Sequence, residues 1–209
     1  MNITEKYDPE GRSLPLVEEF YTIQGEGYNT GKAAYFIRLG GCDVGCSWCD
    51  SRFTWNQNLH PLIDTDSIIG KAVDSGTDSV VVTGGEPLLW NLDYLCNKLK
   101  DNNINTFIET LGSSPISGTW DWICLSPKKN LPPVGDICRK ADELKVIIAH
   151  TSDFFWAEKY RKMASPECRL YLQPEWSRYE AIIPEIVDYV KKNSYWNISL
   201  QVHKFMHIP

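Results

Sequence analysis

Short apolar, β-branched runs recur along the chain: AAYFIRL (33–39), SVVVTG (79–84), NTFIET (105–110), WICLSP (122–127), ELKVII (143–148), RLYLQP (169–174) and ISLQVH (198–203). Each fits a strand buried on both faces, as the strands of a parallel sheet are. Four stretches between them carry helical spacing: 65–76, 87–103, 152–164 and 177–193, the last with apolar residues at 182, 183, 186, 187 and 190. Thr65 or Asp66 is the candidate N-cap of the first helix. Pro184 lies close enough to the start of the last to be tolerated in its first turns. Alternating strands and helices predict an α/β fold with right-handed crossovers. A closed eight-unit barrel needs about 250 residues, and this chain has 209. Segments 112–121 and 129–142 are also too short and too rich in Gly and Pro to hold full crossover helices. The expectation is an incomplete (β/α) barrel of about six parallel strands with trimmed helices, in a single domain over residues 1–209.

Composition changes this picture little. With 43% apolar and 23% charged side chains the chain is an ordinary globular sequence. Its 27 acidic against 21 basic residues give a net charge of −6, so no basic surface for nucleic acid is offered. No apolar run approaches the roughly 18–20 residues of a membrane span, and the polar opening MNITEKYDPEGR does not read as a signal peptide. A cytoplasmic protein without nucleic-acid or membrane partners is expected. Seven cysteines, an odd number without an export signal, argue for a reducing compartment. Cys96, Cys124, Cys138 and Cys168 are isolated, and the apolar settings of Cys96 and Cys124 suit small buried hydrophobes. The other three crowd into GGCDVGCSWCD.

Polar groups gather where the expected strands end: Arg38 to Cys42, Thr83 to Pro87, Glu109-Thr110, Ser126-Pro127-Lys128, Lys145, Gln173-Pro174 and Gln201 to Lys204. That edge is where parallel α/β folds keep their active sites. The spacing Cys42-x3-Cys46-x2-Cys49 supplies three thiolates from one loop, with Gly40, Gly41 and Gly45 free to take the backbone conformations a tight wrap needs. Structural zinc wants four closed ligands; a fourth could come from Asp50 or His60, though neither sits in a usual finger arrangement. A [4Fe-4S] cluster held by three cysteines leaves one iron open to a small molecule, and that reading fits the spacing better.

CDVGCSWC, with Trp48 before its last cysteine, resembles the CX3CX2C signature of radical S-adenosylmethionine enzymes, and TGGEP at 83–87 resembles their glycine-rich motif. FYTIQGEG (20–27), FIRLGGC (36–42), IETLG (108–112), SPK (126–128), ELKVI (143–147), LQP (172–174) and QVHKFMHIP extend the likeness over residues 18–209, to the 7-carboxy-7-deazaguanine synthases. The resemblance implies a homodimeric lyase that contracts the ring of 6-carboxy-5,6,7,8-tetrahydropterin to 7-carboxy-7-deazaguanine with loss of ammonia, on the way to queuosine and related deazapurines. It implies a [4Fe-4S] cluster on Cys42, Cys46 and Cys49, regenerated S-adenosylmethionine, Mg2+ and an external donor such as a flavodoxin or ferredoxin. Mg2+ falls to Ser51, where Thr is the usual residue. S-adenosylmethionine falls to Trp48, Cys49, Asp50, Gly85, Glu86, Ser126, Pro127, Lys128 and Gln173, with Glu86 accepting from its ammonium. The substrate falls to Ile23, Gln24, Gly25, Arg38, Thr83 and the carboxylate of Pro209. Leu111 stands where many relatives have Asn. Two other readings share some of these features. A glycyl-radical activating enzyme has the same cysteine motif, and a non-catalytic module could be stabilised by a metal.

Overall fold

The computed structural model describes residues 8–209; residues 1–7, part of the polar opening read above, lie outside the described residues. The strands are β1 (Ser13–Ile23), β2 (Ala33–Leu39), β3 (Leu62–Asp64), β4 (Ser79–Gly84), β5 (Asn105–Thr110), β6 (Trp122–Leu125), β7 (Glu143–Ile148), β8 (Arg169–Pro174) and β9 (Asn197–Ile198). The helices are α1 (Thr65–Asp74), α2 (Asp93–Asp101), α3 (Ile137–Lys140), α4 (Asp153–Arg161), α5 (Tyr179–Lys192) and α6 (Val202–Met206). All nine strands lie in one sheet of order β3-β1-β2-β4-β5-β6-β7-β8-β9. From β2 through β9 neighbouring strands are parallel, and β1 is antiparallel to both β2 and β3. The sheet is unclosed, with β3 and β9 as its edges. Among the described residues no helix is long and apolar enough to cross a membrane.

The central strand β4 alternates between two apolar environments. Val80 and Val82 of β4 join Ile68 and Ala72 of α1, Leu95 and Leu99 of α2, and Val146 of β7 in the main core under the helices. Val81 belongs instead to a small inner cluster with Ala34 and Phe36, packed by Phe20 and Phe107. Strands buried on both faces explain the continuous apolar runs of the sequence. The trimmed crossovers are also as expected: α3 is a single turn within 129–142.

Four details differ from the sequence expectation. β1 was not anticipated, because Pro15 and the pair Glu18-Glu19 interrupt its apolar pattern; near the sheet edge these residues are tolerated, and a register shift between Leu16 and Glu18 absorbs the irregularity. The run 198–203 is a strand only at its start. Ser199 N–H still reaches Leu172 O (2.9 Å), but Val202 N–H turns to Gly25 O (2.8 Å) and the chain becomes α6. The cap of α1 is Asp64, which accepts from Ser67 N–H (3.1 Å), while the Thr65 hydroxyl donates to Gly11 O (2.8 Å). Pro184 is the sixth residue of α5, past its first turn, and offers no N–H to the carbonyl four residues back.

Candidate active site

The parallel strands end around a cavity of about 420 Å3. Of the residues expected at the site, Ile23, Gln24, Gly25, Arg38, Cys42, Cys46, Trp48, Cys49, Asp50, Ser51, Thr83, Gly85, Ser126, Lys128, Gln173 and Pro209 line it. Glu86 and Pro127 do not.

The cysteine loop is pinned from two sides. Gly41 and Cys42 N–H donate to Thr54 O (2.7 Å) and Trp55 O (3.1 Å). From β4, Gly85 N–H donates to Leu39 O (3.0 Å) and Glu86 N–H to Gly41 O (2.8 Å). A Cβ on Gly85 would collide with Gly41 O, so only glycine lets these two backbones meet. The Glu86 side chain points away from the cavity. It is 0% exposed, and a carboxylate so placed must be satisfied by protein donors. Leu88 N–H (2.9 Å) and the Thr110 hydroxyl (2.5 Å) donate to Oε1, and Leu111 N–H (2.7 Å) to Oε2. Burial pushes its pKa up despite these donors. Glu86 therefore ties the glycine pair to β5, with its carboxylate engaged by protein donors beneath the cavity floor's backbone.

Cys42, Cys46 and Cys49 are half-buried, share the cavity wall and are not disulfide-bonded. Burial raises the Cys42 and Cys46 thiol pKa values, while the Lys128 ammonium acts in the opposite sense on Cys46. Zinc fits poorly. Among the described residues no three His, Cys, Asp or Glu side chains form a group that could hold a single ion. His60 Nε2 is engaged with Phe53 O (2.9 Å), and Asp50 with Lys204 Nζ (3.0 Å) and Gln201 Nε2 (3.3 Å). Three free thiols on a cavity wall without a fourth protein ligand suit a [4Fe-4S] cluster with one open iron.

Beside the thiols, Lys128 Nζ donates to Ser126 O (2.9 Å) and Oγ (2.6 Å) and lies 5.5 Å from the centre of the Trp48 ring. Burial lowers its pKa. The Ser51 hydroxyl donates to Asp50 Oδ1 (3.1 Å).

Deeper in, Lys145 Nζ donates to Glu26 Oε2 (2.6 Å) and Glu109 Oε2 (2.9 Å). Gln24 Nε2 reaches Glu109 Oε1 (3.2 Å) and Gln201 Nε2 reaches Glu26 Oε1 (2.9 Å). Burial alone would raise the Glu26 pKa; Lys145 beside it, with Gln201 and Gln173, brings it down to about 2. Burial works against the Lys145 ammonium, yet Cys124 and the carboxylates around it hold its pKa well above the usual value. In the sequence Glu26 and Glu109 carry no assignable role and Lys145 stands only as a strand end. Its signal is a Glu-x-Lys in an otherwise apolar buried strand, ELKVII. At the opposite wall Arg38 Nε donates to Glu18 Oε1 (2.7 Å), and its guanidinium lies 5.9 Å from the Phe20 ring centre.

Residues 36–124 match the sequence model of the radical SAM superfamily. The chain is 53% identical over 200 residues to the 7-carboxy-7-deazaguanine synthase of Flavobacterium psychrophilum, covering 96% of this chain and 95% of that protein. It is 44% identical to the protein of that name from Synechocystis sp., with 94% of each covered. The crystal structure of QueE from Escherichia coli superposes with a TM-score of 0.80 at 28% identity, covering 93% of this chain and 96% of that one.

Proposed function

Because the chain belongs to the 7-carboxy-7-deazaguanine synthases of the radical SAM superfamily, we propose that it converts 6-carboxy-5,6,7,8-tetrahydropterin to 7-carboxy-7-deazaguanine and ammonia. The observation that carries this reading is one cavity that has three free thiols on its wall and the Glu26–Lys145–Glu109 cluster deeper in. The bound [4Fe-4S] cluster and S-adenosylmethionine supply radical hydrogen-transfer chemistry, and the protein orients the reactants and excludes water.

In this reading Cys42, Cys46 and Cys49 hold the cluster. Trp48, Asp50, the Gly85 backbone, Ser126, Lys128 and Gln173 shape the S-adenosylmethionine side of the cavity. Arg38 is the cation for the substrate carboxylate, since its planar fork accepts a carboxylate edge-on, and Glu18 holds it at the wall by its Nε. Ile23, Gln24, Gly25, Thr83 and Pro209 complete the pterin side. A Mg2+ ion at the Ser51 hydroxyl belongs to the same reading, as Mg2+ keeps most of its waters and takes few protein ligands. One domain over the whole chain is supported by its one sheet. A reducing, cytoplasmic location is supported by seven free cysteines. A homodimer and an external one-electron protein donor rest on the resemblance alone.

The test is anaerobic reconstitution, then incubation with carboxytetrahydropterin, S-adenosylmethionine and dithionite. Formation of 7-carboxy-7-deazaguanine without net consumption of S-adenosylmethionine is expected. Reductive cleavage of S-adenosylmethionine without deazaguanine would overturn the substrate assignment; no cleavage would overturn the enzyme.

A further inference from the structure

One buried acid has no part in the reading so far. Glu143 opens β7 two residues before Lys145, on the same face of the strand. It is 2% exposed. Its Oε2 accepts from Tyr28 N–H (3.2 Å) and from the Trp122 indole N–H (3.0 Å). Oε1 is buried and has no hydrogen-bond partner among the described residues. A Cβ on Gly27 would collide with Oε1, so the turn that carries Glu26 sits directly on this carboxyl.

The charged and titratable groups that face it come from every neighbouring element. Glu109 stands on β5 and Cys124 on β6, in register with Glu143. Lys145 shares β7. Cys168 immediately precedes β8, which brings Arg169 and Tyr171, and Glu26 and Tyr28 come from the turn after β1. Arg169, the register partner, lies over the Tyr28 ring at 5.8 Å. Lys145 already donates to Glu26 and Glu109. An ionised Glu143 would be a third carboxylate against one ammonium, with a bare oxygen in a dry interior. Both features favour the protonated acid, and burial pushes its pKa up to about 7.

We propose that Glu143 is a positioning residue that, in its protonated form, seats the Gly25–Tyr28 turn and leaves Lys145 to Glu26 and Glu109 at the cavity. Ionising it draws Lys145 towards Glu143 and loosens the turn beneath the substrate. The catalytic arm of the test rests on the pterin reading above; the other two arms do not.

Glu143→Gln keeps the shape and removes the titration. Between about pH 6.5 and 8.5 the wild-type kcat/KM for the pterin is expected to fall about tenfold further than that of Glu143→Gln, as the neutral fraction disappears. S-adenosylmethionine cleavage without substrate should show no such difference. A carboxyl with a raised native pKa is stabilising when protonated, and wild-type stability declines from the unfolded value near 4.5 to about 7. The Tm of Glu143→Gln relative to wild type should therefore rise between about pH 4.5 and 7 and level off above it. The Trp122 indole N–H resonance, assigned with Trp122→Phe, should titrate near pH 7 in the wild type. If Glu143→Gln fails to fold, this titration decides alone. A Trp122 signal that does not move over that range, a Tm difference independent of pH, or an alkaline limb unchanged by the substitution would each overturn the proposal.

Discussion

Glu86 shows how much a single carboxylate's surroundings decide. In the sequence it stands in a glycine-rich motif that suggests a ligand contact; in the structure three donors hold it inside the protein. Glu86→Gln turns an acceptor for three donors into a group with its own N–H bonds, which leaves at least one donor facing another. A loss of about 3 kcal/mol in stability is expected, the scale of a broken buried charged network, read from denaturant midpoints. A raised KM for S-adenosylmethionine at unchanged stability would instead return Glu86 to the ligand. Arg38 tests the opposite wall. Arg38→Lys keeps the charge but cannot hold Glu18 and a carboxylate with one planar fork. The pterin KM should rise about tenfold, or roughly 1.4 kcal/mol, while uncoupled S-adenosylmethionine cleavage stays near wild type. An equal loss in both assays would move Arg38 out of the substrate site. The three cysteines and the glycine pair were legible because their chemistry is local in sequence. The Lys145 cluster was not, because its partners lie 36 and 119 residues away.

Among the elements, α6 matters out of proportion to its five residues. It is fastened by Val202 N–H to Gly25 O, by Gln201 to Glu26, and by Lys204 to Asp50, next to a cluster cysteine. Lys204 Nζ also lies 4.7 Å from the Trp176 ring centre. The terminal segment thus closes one side of the cavity on the turn after β1 and on the cysteine loop. Gly25→Ala should undo this, since a Cβ there would collide with the His203 ring. A rise of tenfold or more in the pterin KM is expected with iron content unchanged; loss of iron would place the effect in the cysteine loop instead. The central parallel strands were legible because they are largely buried on both faces and their sequences are mostly apolar. β1 and α6 were not, since each takes its conformation from distant partners: β1 from the register of β2 and β3, α6 from Gly25.

At the scale of the whole molecule, the cavity exists only because the ends of the parallel strands converge, and several of those ends bring a charge. Burying such charges ties folding to acidity. The Glu26 carboxyl, held down to about 2 by Lys145, adds stability that is fully present above its unfolded value near 4.5 and is lost as pH falls towards 2. The difference amounts to about 3 kcal/mol. Wild-type Tm should drop between about pH 5 and 3 more steeply than that of Glu26→Gln; parallel curves would show that Glu26 is not ionised against Lys145. The unclosed sheet carries a different consequence. A half-barrel leaves two rims of unpaired backbone, the kind of template on which chains stack into aggregates. The outermost strands are the two shortest, three residues in β3 and two in β9, and β3 pairs with β1 only over Ser13–Pro15. Those two strands offer a neighbouring chain too little ladder to grip, and past Pro15 the uncovered edge of β1 carries the exposed Glu18, a charge of the kind that blunts edge-to-edge polymerisation.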